Sequence, residues 1–189
     1  GRPPLKGASY FHFLIVDVDK DDVSVKVVPI IKPIPVKGIN NDSDKYPSYL
    51  RAQALFKIRA LTLSSEERQA MLRPARVVEA LKIKPGMNIV DIGSGTGIFT
   101  FPFADALKGT GMVFATDVDS QMTDYIDQKA KEGKYQNVSS VLVKAEGLDP
   151  FYKRNSFDII FLSGVYNRIL RPLDYFRELR PSLKKDSGR

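Results

Sequence analysis

The residues best suited to chemistry form a glycine-rich run at positions 91–97, with the sequence Asp-Ile-Gly-Ser-Gly-Thr-Gly. Glycines allow the backbone to turn sharply and to approach a ligand closely, because they lack a Cβ atom. A second carboxylate, Asp117, follows Gly97 by 20 residues and could accept hydrogen bonds from the two hydroxyl groups of a ribose. The loop and the acid together predict a site for a cofactor that contains a nucleoside.

The spacing of the glycines distinguishes this loop from two other nucleotide-binding loops. A dinucleotide loop has the pattern G-x-G-x-x-G, whereas here the third glycine comes one residue early and Ile98 occupies the dinucleotide position. A P-loop needs a lysine after its last glycine, and none follows here. The pattern D-x-G-x-G-x-G instead resembles motif I of the class I S-adenosylmethionine-dependent methyltransferases.

Five further segments resemble the same family, in the family's order, within residues 72–189. They are the lead-in Leu81–Met87, the second motif at Ala115–Asp119, the adenine-side segment Ala145–Phe151, the fourth-strand segment Asn155–Ile160 and the segment Arg177–Lys184 before a fifth strand. Lys144 stands where many relatives carry an aspartate that accepts the adenine amino group, so we expect Glu146 or a backbone carbonyl to replace it. The resemblance implies S-adenosylmethionine as the cofactor and methyl transfer as the activity.

The resemblance also implies which residues form the site. The cofactor-binding residues are expected to be Asp91, Gly93, Ser94, Gly95, Thr96, Gly97, Asp117, Val118, Ala145, Glu146 and Ser163. Tyr166 and Asn167 follow the predicted fourth strand and are the candidates to orient a methyl acceptor, although each could equally pack or cap. No metal site is expected, because the chain has no cysteine and a single histidine, His12, in an apolar run.

The elements that must position these residues alternate between strands and helices from position 85 onward. Short apolar runs predict buried strands at 88–92, 112–116, 140–143 and 157–162, and helices are expected after Gly97, at 120–131 and at 172–183. Strands that are apolar on both faces indicate a parallel sheet that is covered on both sides. The predicted fold class is therefore α/β, with a Rossmann-like parallel sheet and helices on both faces.

The part of the chain before position 85 divides into three segments: a hairpin, a linker and a helical lead-in. Alternating valines after an aromatic run predict a β-hairpin in residues 1–30, followed by a proline-rich linker at 31–48. The methyltransferase-like domain is placed at 49–189, with a helical lead-in at 49–84 and a core at 85–189. Within the lead-in, Ser64 and Glu67 have the spacing of a capping box. Residues 1–30 also resemble, over a short stretch, the closing strands of calcineurin-like metallophosphoesterases.

Charge and hydropathy bear on the partners of the chain. The net charge is +7 over 189 residues, and residues 51–84 carry 8 basic and 3 acidic side chains. This excess could attract nucleic acid, but a solvated helical surface is the favoured interpretation. No apolar run approaches the roughly 18–20 residues that a transmembrane helix needs, so we expect no membrane span and a cytoplasmic protein. The acceptor stays open among small molecules, proteins and RNA.

The sheet of this family has seven strands, and the sequence ends where the fifth should begin. Four strands alone would leave an open apolar edge. We expect further C-terminal strands to cover it; the alternatives are the N-terminal hairpin or another chain. The alternative function is a catalytically silent S-adenosylmethionine-binding or scaffold domain, fused to a phosphoesterase.

Overall fold

The computed structural model describes residues 12–19, 22–29, 48–185 and 188. Two strands, β1 (His12–Asp19) and β2 (Asp22–Pro29), form an antiparallel pair in which Asp19 lies opposite Asp22. This confirms the predicted hairpin over the described residues, whereas residues 1–11 and most of the predicted linker lie outside them. The extent of the separate domains and the phosphoesterase resemblance stay predictions.

The remaining elements follow the predicted order. The helices are α1 (Ser48–Leu63), α2 (Glu66–Leu72), α3 (Pro74–Ala80), α4 (Thr100–Ala106), α5 (Ser120–Glu132) and α6 (Pro172–Leu179), and the strands are β3 (Asn88–Ile92), β4 (Met112–Asp117), β5 (Val138–Leu142) and β6 (Ile159–Leu162). The strand predicted at 140–143 begins two residues earlier and ends one residue earlier, at β5, and the strand predicted at 157–162 begins two residues later, at β6. Helix α6 ends at Leu179, because residues 180–182 form a 3₁₀ turn that contains Pro181.

Strands β3 to β6 form one parallel sheet in the order β5-β4-β3-β6. Alternate strand residues face opposite sides of it. Ile89, Val113 and Ile159 pack with the buried residues of α4 on one face, whereas Val90 and Ile92 pack with Leu179 of α6 on the other. Two apolar clusters therefore hold helices on both faces, which confirms the predicted fold class.

The carboxyl ends of β3, β4 and β6 meet at one edge of the sheet, and there the candidate site is found. Beyond α6, Leu183 forms a parallel bridge with Phe157, so the chain there runs beside the residues that lead into β6. Lys184 Nζ lies 2.7 Å from Asp158 Oδ2 at the opposite edge of the sheet. Within the described part of the chain, no helix has both the length and the apolar character needed to cross a membrane.

The lead-in helices depart from the prediction at one point. Helix α2 begins one residue later than the proposed capping box requires, because the cap is Ser65 and not Ser64. The Ser65 hydroxyl accepts a hydrogen bond from Arg68 N–H at 3.2 Å. Glu67 is therefore the second residue of the helix and cannot complete a capping box, which needs the third.

Candidate cofactor site

The glycine loop begins directly after β3 and is attached to the neighbouring strand. The N–H groups of Gly93 and Ser94 both donate to the carbonyl of Thr116 in β4, at 2.7 and 3.0 Å. Gly93, Gly95 and Gly97 have φ values of +70°, +54° and +80°, in a region that residues other than glycine rarely adopt. Positive φ favours glycine at all three positions, most strongly at Gly93 and Gly97, since Asn155 and Arg171 adopt φ values close to that of Gly95.

The three glycines face different neighbours. A Cβ atom on Gly93 would collide with the side chain of Val165, and one on Gly97 would lie 2.6 Å from the Phe101 ring and 2.7 Å from Ile126 Cδ1. A Cβ atom on Gly95 would meet Leu63 Cδ1 at 3.8 Å and no other atom within 4 Å. Among the three loop glycines, Gly95 is thus the one with open space at the position of a Cβ atom. At Gly97, which is also predicted to bind the cofactor, the Phe101 and Ile126 side chains of α4 and α5 occupy the space that a Cβ atom would need.

The two polar side chains of the loop, Ser94 and Thr96, are both buried. The Ser94 hydroxyl is, among the described residues, the buried side-chain polar atom that has no hydrogen-bond partner. A buried hydroxyl without a partner is destabilising by about 1–3 kcal/mol. A ligand that offers a polar group at this loop would remove that cost.

Asp117 lies at the end of β4 and is bonded to the glycine loop. Its Oδ2 atom accepts the Gly95 N–H at 2.9 Å, and its Oδ1 atom accepts the Asp119 N–H at 3.1 Å. Each carboxylate oxygen has a second lone pair, so both oxygens can still accept a hydroxyl hydrogen. Val118, the next residue, is exposed and offers an apolar surface beside the acid.

Asp91, which is also predicted to bind the cofactor, is buried within the sheet. It lies in β3, its carboxylate is buried, and its Oδ2 atom accepts the Thr100 hydroxyl at 2.6 Å. Burial raises its pKa to about 7; the Thr100 hydrogen bond lowers the pKa and the charge of Asp117 raises it. The Asp91 carboxylate thus joins β3 to the start of α4.

The loop after β5 carries the predicted adenine-side residues. It leaves β5 beside Asp117, where Val143 N–H donates to the Asp117 carbonyl at 2.9 Å, and Ala145 and Glu146 are both exposed. The carboxylate of Asp149 holds this loop by accepting the N–H groups of Lys144 and Phe151, at 3.0 and 2.8 Å.

Asp149 was not among the residues predicted for the site. The sequence signal that could have identified it is the Asp149-Pro150 pair, because aspartate before proline commonly starts a turn.

The segment after β6 forms another side of the site. Ser163 directly follows Leu162, which is paired with Ile92, so Ser163 lies level with Gly93. The candidate catalytic residues Tyr166 and Asn167 begin a 3₁₀ turn and are exposed. The Tyr166 ring stacks on Phe176 of α6, with 6.1 Å between the ring centroids.

Helix α1 contributes residues that the sequence prediction missed. Its last residue, Leu63, lies over Gly95, and Arg59 Nη1 lies 2.6 Å from Asp119 Oδ2. Asp119 also caps α5, since its Oδ1 atom accepts the Gln121 N–H at 3.0 Å. The basic lead-in was interpreted as a solvated surface, and no local spacing in the sequence indicates that α1 reaches the glycine loop.

Comparison with known proteins gives consistent results. A family model described as a methyltransferase domain matches residues 83–188. A ubiquinone/menaquinone biosynthesis C-methyltransferase of Hydrogenovibrio crunogenus is 31% identical over 109 residues, which are 55% of this chain and 42% of that protein. A nocamycin O-methyltransferase of Saccharothrix syringae is 27% identical over 111 residues, which are 51% of this chain and 39% of that protein.

Among solved structures, a SAM-dependent methyltransferase from Aquifex aeolicus is 25% identical, with a TM-score of 0.61. The match covers 66% of this chain and 65% of that one. The chain spans only about two fifths of the length of the two curated relatives, at 42% and 39%.

Proposed function

The chain belongs to the methyltransferase domain family, and from this membership we propose that it transfers a methyl group from S-adenosylmethionine to an acceptor. The observation that carries the proposal is the 2.9 Å hydrogen bond from Gly95 N–H to Asp117 Oδ2. This bond brings the two features of a nucleoside site, the glycine loop and the acid, together in one site. The same pairing was expected from the sequence alone.

The residues present fit a cofactor of this kind. We assign the ribose hydroxyls to Asp117, since both of its oxygens retain acceptor capacity. The orphaned Ser94 hydroxyl and the open face of Gly95 would meet the amino-acid part of the cofactor. The exposed Val118 would pack on the adenine, and Ala145 and Glu146 would border it from the loop that Asp149 holds.

Methyl transfer at this site depends on position more than on proton transfer. When bound, S-adenosylmethionine supplies a methyl group on a positively charged sulfonium sulfur. The protein then has to exclude water and hold the acceptor in line, and a general base is needed only where the acceptor must lose a proton. Ser163, Tyr166 and Asn167 lie on the segment that would face the acceptor, and we assign Tyr166 and Asn167 to its orientation.

Calorimetric titration with S-adenosylhomocysteine tests the proposal. We expect saturable binding to the wild-type chain and binding weakened roughly tenfold to a hundredfold in Asp117→Asn, because charge-assisted hydrogen bonds to the ribose are lost. Asp124→Asn is the matched control, since Asp124 is an exposed carboxylate on α5.

Two results would contradict the proposal. One is equal affinity in the wild type and Asp117→Asn, and the other is tighter binding of NAD than of S-adenosylhomocysteine. Circular dichroism of each variant shows whether the fold is retained.

A further inference from the structure

Thr116, the next-to-last residue of β4, connects three parts of the candidate site. Its carbonyl accepts the N–H groups of Gly93 and Ser94 at the start of the glycine loop. Its side chain is fully buried, and its Oγ1 atom lies 3.0 Å from the hydroxyl oxygen of Tyr152. The same Oγ1 atom donates to the carbonyl of Asp91 at 3.3 Å. Because a hydroxyl has one hydrogen to donate, Tyr152 is the donor in its bond to Thr116.

The loop after β5 is hydrogen bonded to the end of β4 at both of its own ends. This loop, residues 143–152, is the adenine-side loop. At its start, Val143 N–H donates to the Asp117 carbonyl at 2.9 Å, and at its end the Tyr152 hydroxyl reaches Thr116. The two partners are consecutive in β4, and Asp117 is the residue assigned to the ribose. The loop is thus attached beside the ribose acid by a main-chain bond at one end and a side-chain bond at the other.

The Tyr152 ring and the Tyr152 hydroxyl have different surroundings. The ring lies in the apolar cluster on the α6 face of the sheet, with Val90 and Leu179. A phenylalanine would fill the same space, so packing accounts for the ring and not for the hydroxyl. A hydroxyl buried in an apolar cluster needs hydrogen-bond partners, and those of Tyr152 are Thr116 and the Tyr175 hydroxyl of α6.

We propose that Tyr152 is a positioning residue for the cofactor, because its hydrogen bond to Thr116 holds the adenine-side loop in the arrangement that binds adenine. A loop that is already held loses less conformational freedom when a ligand binds, and the affinity is therefore higher. Tyr152 acts through Thr116 and the loop, without contact to the methyl group. The inference rests on the proposed function, because it concerns the cofactor of that reaction.

A double-mutant cycle, measured by calorimetric titration with S-adenosylhomocysteine, tests the inference. Tyr152→Phe removes the hydroxyl and keeps the ring, and it should weaken binding about three- to tenfold, as expected for one hydrogen bond. Combined with Thr116→Val, which removes the partner hydroxyl, Tyr152→Phe should cause no further loss. Combined with Thr116→Ser, which keeps that hydroxyl, Tyr152→Phe should still weaken binding. The cycle thereby separates the bond to Thr116 from the bond to Tyr175.

Tyr135→Phe is the matched control for the loss of a tyrosine hydroxyl. The Tyr135 hydroxyl also has a hydrogen-bond partner, Asp105, but its ring packs on Phe101 and against the cluster on the opposite face of the sheet. Both substitutions should lower the free energy of unfolding in urea, so stability alone does not distinguish them. Only Tyr152→Phe should weaken the binding of S-adenosylhomocysteine.

Amide hydrogen exchange in the ligand-free protein measures the holding of the loop directly. Phe151 N–H donates to Asp149 Oδ1 at 2.8 Å within the adenine-side loop. In Tyr152→Phe this amide should exchange about threefold faster or more, relative to the Ile126 amide in α5, because the end of the loop opens more often. In Tyr135→Phe the ratio of the two rates should equal that of the wild type.

The outcomes separate this inference from the proposed function. A loss of affinity that requires a hydroxyl at position 116, with faster exchange at Phe151, supports the inference. Equal affinity in the wild type and Tyr152→Phe, an equal loss when Thr116→Val is present, an equal loss in Tyr135→Phe, or unchanged exchange at Phe151 would overturn it.

If S-adenosylhomocysteine does not bind the wild type, the proposed function fails. The exchange measurement then decides whether Tyr152 holds the loop: faster exchange at Phe151 in Tyr152→Phe alone supports this, and equal rates in Tyr152→Phe and Tyr135→Phe exclude it.

Discussion

The three loop glycines share a left-handed backbone, but their surroundings give them different roles. At Gly93 and Gly97 the position of a side chain is already filled by Val165, Phe101 and Ile126, whereas Gly95 has a single neighbour at ordinary contact distance. A substitution at Gly95 therefore changes what a ligand meets without disturbing the core. Substitution at Gly97 would force α4 and α5 apart.

Gly95 and Gly109 provide a matched pair of alanine substitutions. Both have positive φ, +54° and +77°, and neither would place a Cβ atom in a clash. Each alanine should therefore lower the free energy of unfolding by about 1–2 kcal/mol, the cost of a left-handed residue. We expect S-adenosylhomocysteine affinity to fall at least tenfold in Gly95→Ala and to be unchanged in Gly109→Ala.

Urea unfolding and calorimetry on the two variants provide the measurements. A loss of affinity of the same size in both variants would mean that strain, and not the approach of a ligand, requires glycine at position 95.

Among the elements, helix α1 of the lead-in places residues beside the candidate site. Helix α1 is attached to α5 by the Arg59–Asp119 ion pair and by an edge-on contact of the Phe56 and Tyr125 rings, 6.2 Å apart. The ion pair is partly exposed and is expected to stabilise the fold by less than about 1 kcal/mol. The apolar contacts of α1 therefore contribute most to keeping Leu63 over the glycine loop.

The start of α2 allows a direct test of the structure against the pattern in the sequence. The Ser65 hydroxyl accepts the Arg68 N–H, so Ser65→Ala should lower the free energy of unfolding by about 1 kcal/mol. Ser64→Ala is the control within the same turn and should change it by less than about 0.5 kcal/mol. Chemical denaturation of the two variants measures the difference. A larger effect at Ser64 than at Ser65 would contradict the structure and support the capping box predicted from the sequence.

At the scale of the whole molecule, the four-stranded parallel sheet lies between two apolar clusters, and the Asp91 carboxylate is buried inside it. Asp91 lies between Ala115 of β4 and Phe161 of β6 in the register of the sheet. Its pKa is raised to about 7, chiefly by burial. Because this group is deep in the core, its ionisation is coupled to the unfolding of the whole domain.

The raised pKa of Asp91 fixes the direction of a pH effect on stability. An aspartate in an unfolded chain ionises near pH 4, whereas in the folded protein the Asp91 pKa is about 7. Between these values the folded state binds a proton that the unfolded state has lost. The contribution of this carboxyl to stability is therefore complete below about pH 4 and is lost as the pH rises through about 7.

Comparison with Asp91→Asn isolates this contribution, since the amide resembles the protonated acid at every pH. From about pH 4 to pH 8 the wild type should lose on the order of 3–4 kcal/mol of unfolding free energy relative to the variant. Urea unfolding at several pH values measures this, with Asp124→Asn as the control for an exposed carboxylate. Parallel pH profiles for the wild type and Asp91→Asn would show that Asp91 is ionised in the folded protein.

The sequence by itself determined the features that depend on local spacing. Glycines at alternate positions after an apolar run fixed the loop at 91–97, and Asp117 at the end of the next apolar run identified the acid. The strands could be placed to within about two residues, because a buried parallel strand is a short continuous apolar run. The family resemblance depends on the same local motifs and on their order.

Tertiary structure decided which of these residues have open space beside them and which face the core. Gly97 packs against Phe101 and Ile126, Asp91 bonds to Thr100, and Leu63 reaches Gly95 across 32 residues of chain. None of these contacts follows from spacing, because each depends on how separate elements are oriented when they pack. Side chains that are distant in the sequence come together only when the sheet has assembled and the helices have packed on it.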